Sequence, residues 1–138
     1  GTLDGANVEM HEVLGDENMF LFGLHADEVV RLKREGYTPQ KLYARDENLR
    51  CVIDKLKQGF SDGNTYEDLA SRLLLNDEYM LLQDFASYCA AEQRMAETYA
   101  RSEDWNRKSL LNIARSGIFA ADRAVAQYAD TIWHVEHK

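Results

Sequence analysis

Apolar residues recur along most of this chain at positions i, i+3, i+4 and i+7, the spacing of one face of an α-helix. In the last such stripe, for example, Val125, Tyr128, Ile132 and Trp133 fall on one side. The segments that show the pattern between start and stop signals are about 6–14, 26–35, 38–45, 49–58, 65–75, 85–99, 102–116 and 121–133. The pattern predicts six to eight helices. Residues 79–83 fit either a helical turn or a short extended link.

The helix boundaries follow from residues with special backbone or capping properties. Stop signals are supplied by Gly15, Gly36, Gly59 and Gly117, because glycine adopts the left-handed conformation that commonly ends a helix. Start signals are the pair Thr38-Pro39, an interpreted capping box of Thr65 with Asp68, and Ser102 as an N-cap.

One apolar run departs from the helical pattern. Met19-Phe20-Leu21-Phe22 is apolar at every position, as expected of a strand covered on both faces inside a parallel sheet. No second run of this kind exists in the chain, and a lone strand leaves its backbone groups unpaired. We therefore expect a mainly α fold with one or two short strands, in which this strand pairs with something outside the chain or with another copy.

Composition places the 138 residues in the class of globular proteins with a core. The hydrophobic fraction is 45%, and one proline and eight glycines leave few helix breaks. The net charge of −8 argues against a nucleic-acid or anionic-membrane partner, and no apolar run approaches a membrane span. Cys51 and Cys89 lie on apolar helical faces, so we expect buried, reduced thiols.

Candidate chemistry is sparse. His134 and His137 flank Glu136 at a weak metal-ligand spacing near the chain end, and His11 and His25 have no partner in sequence. With 24 acidic residues, carboxylate pairs arise freely on solvated helix faces, so they do not indicate acid–base catalysis. Asp122-Arg123 is interpreted as a structural ion pair or cap rather than a phosphate contact. The segment 1–7 contains two glycines but lacks a nucleotide-binding motif, which favours a strand-to-helix turn.

Three stretches are more specific than periodicity. The first is Gly1-Thr2-Leu3-Asp4-Gly5-Ala6-Asn7-Val8-Glu9-Met10, and the second is Asn18-Met19-Phe20-Leu21-Phe22-Gly23. The third comprises Trp105, Leu111-Asn112-Ile113-Ala114-Arg115-Ser116-Gly117, Phe119, Asp122-Arg123, Gln127-Tyr128-Ala129 and Ile132-Trp133. In this order and at these distances they resemble the C-terminal end of the glycogen and maltodextrin phosphorylases (α-glucan phosphorylases). The resemblance covers nearly the whole chain and is loosest between about residues 24 and 100.

The resemblance implies an enzyme that phosphorolyses terminal α-1,4-linked glucose of glycogen or maltodextrin and releases α-glucose 1-phosphate. It implies a cytoplasmic, usually dimeric enzyme of two Rossmann-like domains (GT-B type) with pyridoxal 5'-phosphate on a lysine. Residues 1–36 would end the Rossmann-like domain, and residues 37–138 would form its C-terminal helical segment. The final helix would cross back toward the N-terminal domain. Ala120-Ala121 departs from the usual Ser-Ser and removes a capping hydroxyl.

The same resemblance implies that the catalytic parts are missing. The family's cofactor lysine, its phosphate-gripping glycine turn and its glucose contacts lie upstream of the segment matching Gly1. The five lysines, Lys33, Lys41, Lys55, Lys57 and Lys108, stand in solvent-facing helical contexts. We therefore assign no catalytic, cofactor-binding or metal residue in this chain. It is expected to be an inactive fragment that partners with the upstream remainder of its polypeptide and self-associates when alone.

Two alternatives remain open. One is a free-standing helical interaction module without chemistry. The other is another glycosyltransferase of the same two-domain architecture, such as a glycogen synthase, whose nucleotide-sugar contacts would also lie upstream. The specific sequence of the first ten residues disfavours the glycosyltransferase alternative.

Overall fold

The computed structural model of the protein describes residues 1–135 and is mainly helical. Eight α-helices lie within that range: α1 (Ala6–Leu14), α2 (Ala26–Glu35), α3 (Pro39–Arg45), α4 (Glu47–Gln58), α5 (Glu67–Leu75), α6 (Leu81–Ala100), α7 (Ser102–Arg115) and α8 (Ala121–Tyr128). Short 3-10 turns span Asp16–Asn18 and Ser116–Phe119, and a π-helical turn spans Ala129–Trp133. The predicted helices are thereby confirmed, and the open segment 79–83 resolves into a turn followed by the start of α6.

Most predicted boundaries hold for the expected reasons. Gly36 ends α2 in the left-handed conformation with φ of 89°, and Pro39 is the first residue of α3. Ala120 precedes α8 without a side-chain cap, in keeping with the missing hydroxyl.

Two capping predictions are wrong. The backbone N–H of Tyr66 donates to the carbonyl of Leu56 at 2.9 Å. This bond ties the chain to the end of α4, so α5 begins only at Glu67, without a side-chain cap. Ser102 is already the first residue of α7, and Arg101 precedes it as the N-cap. A cap that the sequence reading missed is Asp46, whose carboxylate accepts from the N–H of Leu49 at 3.0 Å.

The predicted strand at Met19–Phe22 is also wrong, because residues 1–135 contain no strand. The segment is half-buried and irregular, and no neighbouring strand is present to pair with it. Single donors satisfy two of its carbonyls instead: the N-terminal ammonium of Gly1 donates to Phe20 at 2.9 Å, and the guanidinium of Arg94 donates to Leu21 at 3.0 Å. An apolar residue at every position was therefore not sufficient to predict a strand, because an irregular segment can have the same composition.

The chain divides into two compact units. The first, which we call the helical unit, comprises Thr2 and residues 22–92. Helices α3, α4 and α5 pack together there around a core of Leu49, Ile53, Ala70 and Leu82. Each of these four side chains is buried, and burying a large aliphatic side chain contributes about 1.5 to 3 kcal/mol. This core is the main apolar stabilisation of the helical unit.

The second, which we call the terminal unit, comprises Gly1, residues 3–21 and residues 93–138, described to residue 135. Helix α7 packs against α1 and against the 3-10 turn Asp16–Asn18. The terminal unit has few buried residues, and most of them are small: Leu14, Thr98 and Ala129. Apolar burial therefore contributes less to the stability of this unit than to that of the helical unit, and polar contacts contribute a larger share. The expected boundary between residues 36 and 37 stays a prediction.

The expected burial of the two cysteines is wrong. Cys51 and Cys89 are both free and exposed. On α4 the buried positions are Leu49 and Ile53, and Cys51 lies between them on the solvent side. A sequence stripe broad enough to include both faces misplaced this residue.

Candidate functional site

Residues from the stretches that carry the resemblance meet in the terminal unit. Phe20 stacks against Trp105 of α7 with ring centroids 6.3 Å apart and planes at 19°. Tyr99, at the end of α6, meets the same indole edge-on at 5.1 Å. Aromatic pairs of this geometry are each worth about 0.5 to 1.5 kcal/mol beyond the area they bury. Trp105 thus fixes residues that lie far apart in sequence.

A row of polar side chains along α7 completes this attachment. Lys108, Asn112 and Arg115 are spaced at i, i+4 and i+7, so they lie on one helical face. The Lys108 ammonium donates to the carbonyl of Glu17, the Asn112 amide donates to Asn18 at 3.2 Å, and the Arg115 guanidinium donates to Leu14 at 2.8 Å. We call these three side chains the α7 donor row. They satisfy carbonyls at the end of α1 and in the 3-10 turn, groups that a helix end leaves open.

On the outer surface of the terminal unit, apolar side chains are exposed. Large apolar side chains of α7, α8 and the π-helical turn are exposed by 48% to 69%. We call them the apolar face, which consists of Leu110, Ile113, Val125, Tyr128, Ile132 and Trp133. Meanwhile Ala129 is buried and Asn112 faces the chain's own backbone. A soluble helix normally buries its large apolar residues, so this inversion marks a surface suited to packing against something else.

The candidate ligands of the sequence analysis are dispersed. His11 is bonded to the Asp16 carboxylate, the backbone N–H of His25 donates to Glu28 at 2.9 Å, and the His134 ring donates to the carbonyl of Asp130 at 3.0 Å. Glu136 and His137 lie outside the described residues. Within residues 1–135, no group of three His, Cys, Asp or Glu side chains has the arrangement of a metal site.

The five lysines are exposed, packed on a ring or bonded to a backbone carbonyl. Lys33, Lys41 and Lys55 are exposed, and Lys57 lies over the ring of Tyr43 at 5.5 Å. Lys108 is engaged with the carbonyl of Glu17. These surroundings suit solvated or structural ammonium groups, and none resembles the enclosed pocket that a Schiff-base lysine requires.

Two further candidates have structural partners. In the segment 1–7, Gly5 precedes α1 with φ of 48°, and the N–H of Asn7 donates to Asp4 at 3.1 Å. This is a turn into a helix, and residues 1–4 of the described chain are not in a strand. Arg123 donates to the carbonyl of Ile118 at 2.6 Å and to the amide oxygen of Gln127 at 3.0 Å. Its hydrogen bonds brace the start of α8.

In the helical unit the most perturbed titratable group is a tyrosine. Burial, followed by the hydrogen bond to Asp77, raises the pKa of Tyr37 well above its ordinary value. The Tyr37 hydroxyl donates to Asp77 at 2.7 Å, and the same carboxylate accepts from the N–H groups of Leu81 and Leu82. Because these bonds anchor the start of α6, the arrangement is that of a buried helix cap. A raised pKa at this tyrosine therefore does not indicate catalysis.

The chain belongs to the carbohydrate phosphorylase family, whose family model matches residues 1–135. It is 41% identical over 139 aligned residues to the muscle form of glycogen phosphorylase from Bos taurus and 42% identical to glycogen phosphorylase from Synechocystis sp.. The muscle form from Homo sapiens is 39% identical. Each alignment includes 99% of this chain but 16% of the relative, so the chain spans about one sixth of the length of these proteins. The resemblance to the phosphorylase family is confirmed.

None of the helices described is both long enough and apolar enough to cross a membrane.

The α7 donor row is a set of residues that sequence reasoning missed. Its acceptors are backbone carbonyls, which carry no signature in the sequence, so only the spacing of Lys108, Asn112 and Arg115 was available as a signal.

Proposed function

We propose that this chain is part of a glycogen or α-glucan phosphorylase, an enzyme that transfers terminal α-1,4-linked glucose to phosphate. The observation that carries this proposal is the match of 99% of the chain, at about 40% identity, to relatives named glycogen phosphorylase. The proposed substrates of the whole protein are an α-glucan and inorganic phosphate, and its proposed location is the cytoplasm. The proposed architecture is two Rossmann-like domains, with residues 1–36 ending one of them and residues 37–138 forming its helical extension.

The role of this part is structural support of the catalytic parts. The whole protein would use pyridoxal 5'-phosphate, but the lysines described above do not fit that group, since they are exposed or engaged elsewhere. We therefore derive no step of the reaction from this chain and propose that it is inactive alone.

The apolar face gives this role a physical basis. Its six large side chains are 48% to 69% exposed, so full burial would add about half of the 1.5 to 3 kcal/mol that a fully exposed side chain gains, which favours contact with the remainder of the polypeptide. In the isolated chain the same surface favours self-association. Light scattering of the isolated chain should therefore give a mass above that of one copy, increasing with concentration.

The function is tested by measuring glucose 1-phosphate formed from maltodextrin and inorganic phosphate. The full-length protein should form it, and the 138-residue chain at the same molar concentration should not. A full-length protein without phosphorolysis would contradict the proposed function. Turnover by the chain alone would contradict its proposed supporting role.

A further inference from the structure

A small polar cavity lies within the terminal unit, beside the 3-10 turn Asp16–Asn18 and the first turns of α7. Its volume is about 280 Å³, and its charged lining consists of Arg101, Arg107, Lys108, Glu17 and Asp104. Drug-sized ligands occupy pockets of about 300 to 1,000 Å³, so this one suits a ligand of a few heavy atoms. We propose that the cavity is a binding site for a small oxyanion of the phosphate class.

The balance of charge in the cavity supports an anion. Three cations face two carboxylates there, whereas the chain as a whole carries a net charge of −8. The Lys108 ammonium is bonded to the backbone carbonyl of Glu17, a neutral acceptor that does not cancel the lysine charge. Among residues 1–135, Arg107 is in none of the ion pairs. The cavity thus concentrates positive charge on an otherwise acidic protein.

Asp104 already behaves as an internal anion for this cluster. The Nε of Arg101 donates to its carboxylate at 2.6 Å. That hydrogen bond lowers the pKa of Asp104, and the charges of Arg101, Lys108 and Arg107 lower it further. Arg101, the residue before α7, is thus bonded to Asp104, and Arg107 and Lys108 follow Asp104 by one helical turn and line the same cavity. The Arg101 and Asp104 side chains are 60% and 52% exposed, so an anion from solvent has access to both.

Phosphate suits this arrangement better than a carboxylate does. Guanidinium groups present several fixed N–H donors and an ammonium adds a point charge, a combination that matches the several acceptor oxygens of a phosphate. Arg101 has donated only its Nε to Asp104 in the pair described, which leaves its terminal N–H groups for a ligand. The Glu17 carboxylate also lines the cavity, and its charge sets a limit on affinity.

The site is tested by titrating the 138-residue chain with inorganic phosphate and, in a second arm, with methyl phosphate. Ionic strength is held constant with chloride, and backbone amide shifts of residues 101–108 are followed by NMR. We expect saturable shifts in this segment. Arg107→Ala should weaken binding about tenfold, because a charge-assisted hydrogen bond is lost. Asp104→Asn should tighten it, because the internal competitor becomes neutral. Saturation by only one of the two ligands identifies whether the free ion or the monoester is preferred.

The matched control is Arg31→Ala, which removes an exposed arginine of α2 in the helical unit. It should leave the affinity unchanged. Both test positions are exposed side chains on α7, so circular dichroism should show unchanged helix content in the variants. Shifts that do not saturate, an equal loss in the control, or weaker binding by Asp104→Asn would overturn the proposal. These outcomes concern binding by this chain and are independent of phosphorolysis by the longer protein.

Discussion

Asp77 shows how one buried side chain can determine where a helix begins. Its carboxylate is 5% exposed and accepts from the Tyr37 hydroxyl at 2.7 Å and from the N–H groups of Leu81 and Leu82 at 2.9 and 2.8 Å. These two amides belong to the first turn of α6, whose N–H groups have no acceptor within the helix. The bonds therefore replace water at groups that would otherwise be buried without partners.

Replacing this carboxylate should be costly. Asp77→Ala removes the acceptor for three donors, and we expect a loss of about 2 to 4 kcal/mol in the free energy of unfolding, measured with urea. Tyr37→Phe removes one of the three donors and leaves both cap bonds, so it should cost about 1 kcal/mol. Equal losses in the two variants would contradict the capping role.

The tyrosine in this cluster predicts a dependence of stability on alkaline pH. The pKa of Tyr37 is raised in the folded protein, so the folded state binds its proton more tightly than the unfolded state does. This contribution is fully present below the unfolded pKa of about 10 and is lost as pH rises above it toward the folded pKa. Unfolding free energies measured between pH 8 and 11 should therefore fall less in Tyr37→Phe than in the parent chain. Tyr79→Phe, at a tyrosine that is 77% exposed, is the control and should show the parental slope.

Substitutions at two glycines distinguish the cost of backbone strain from the cost of steric overlap. Gly59 and Gly63 have φ of 90° and 80°, so any side chain is strained at both. A Cβ at Gly59 would lie 2.6 Å from the carbonyl oxygen of Asn64, whereas one at Gly63 would meet nothing within 4 Å. Gly63→Ala should cost about 1 kcal/mol, and Gly59→Ala should cost more, by thermal unfolding. A smaller loss at Gly59 than at Gly63 would be inconsistent with the close approach of Asn64.

At the level of elements, α7 is held by what its polar face donates. The α7 donor row supplies hydrogen bonds to Leu14, Glu17 and Asn18, and Trp105 of the same helix stacks on Phe20. Large apolar side chains of this helix, Leu110 and Ile113, are exposed by 67% and 69%. A sequence stripe that assigns the apolar side of α7 to its own core therefore assigns the wrong side.

This reversal gives a direct comparison of two asparagines on one helix. Asn112→Leu removes bonds to the carbonyls of Asn18 and Lys108, so it should lower the free energy of unfolding by about 1 to 2 kcal/mol. Asn106→Leu changes an exposed position of the same helix and should remain within about 0.5 kcal/mol of the parent. Chemical denaturation followed by tryptophan fluorescence, from Trp105 and Trp133, measures both changes. A neutral Asn112→Leu would show that the donor row does not stabilise the terminal unit.

Local signals in the sequence were sufficient for most of the helices. Glycine stops and Thr38-Pro39 act within a few residues, so the ends of α2 and α3 were predictable. The irregular conformation of Met19–Phe22 and the start of α5 at Glu67 were not, because each depends on a hydrogen-bond partner elsewhere in the chain. Phe20 and Leu21 find donors in Gly1 and Arg94, and Tyr66 finds its acceptor in Leu56. Periodicity contains no information about such partners.

At the scale of the whole molecule, the sequence was sufficient to predict the family but not the full apolar face. The stretches around Gly1, Phe20 and Trp105 identified the family because specific residues recur there in order. The apolar face was predicted in part, since Val125, Tyr128, Ile132 and Trp133 form a stripe that needs a partner. The exposure of Leu110 and Ile113 follows only from the rotation of α7 that its donor row imposes.

The proposed supporting role requires that the apolar face is covered in a longer phosphorylase polypeptide. Side-chain oxidation footprinting of Tyr128 and Trp133, which are 48% and 58% exposed in the chain, measures that coverage residue by residue. Tyr79, 77% exposed in the helical unit, serves as the internal reference. We expect both residues to be oxidised several times more slowly in the full-length protein than in the 138-residue chain diluted to its lowest measurable concentration. Equal oxidation of Tyr128 and Trp133 in the two proteins, relative to Tyr79, would contradict it.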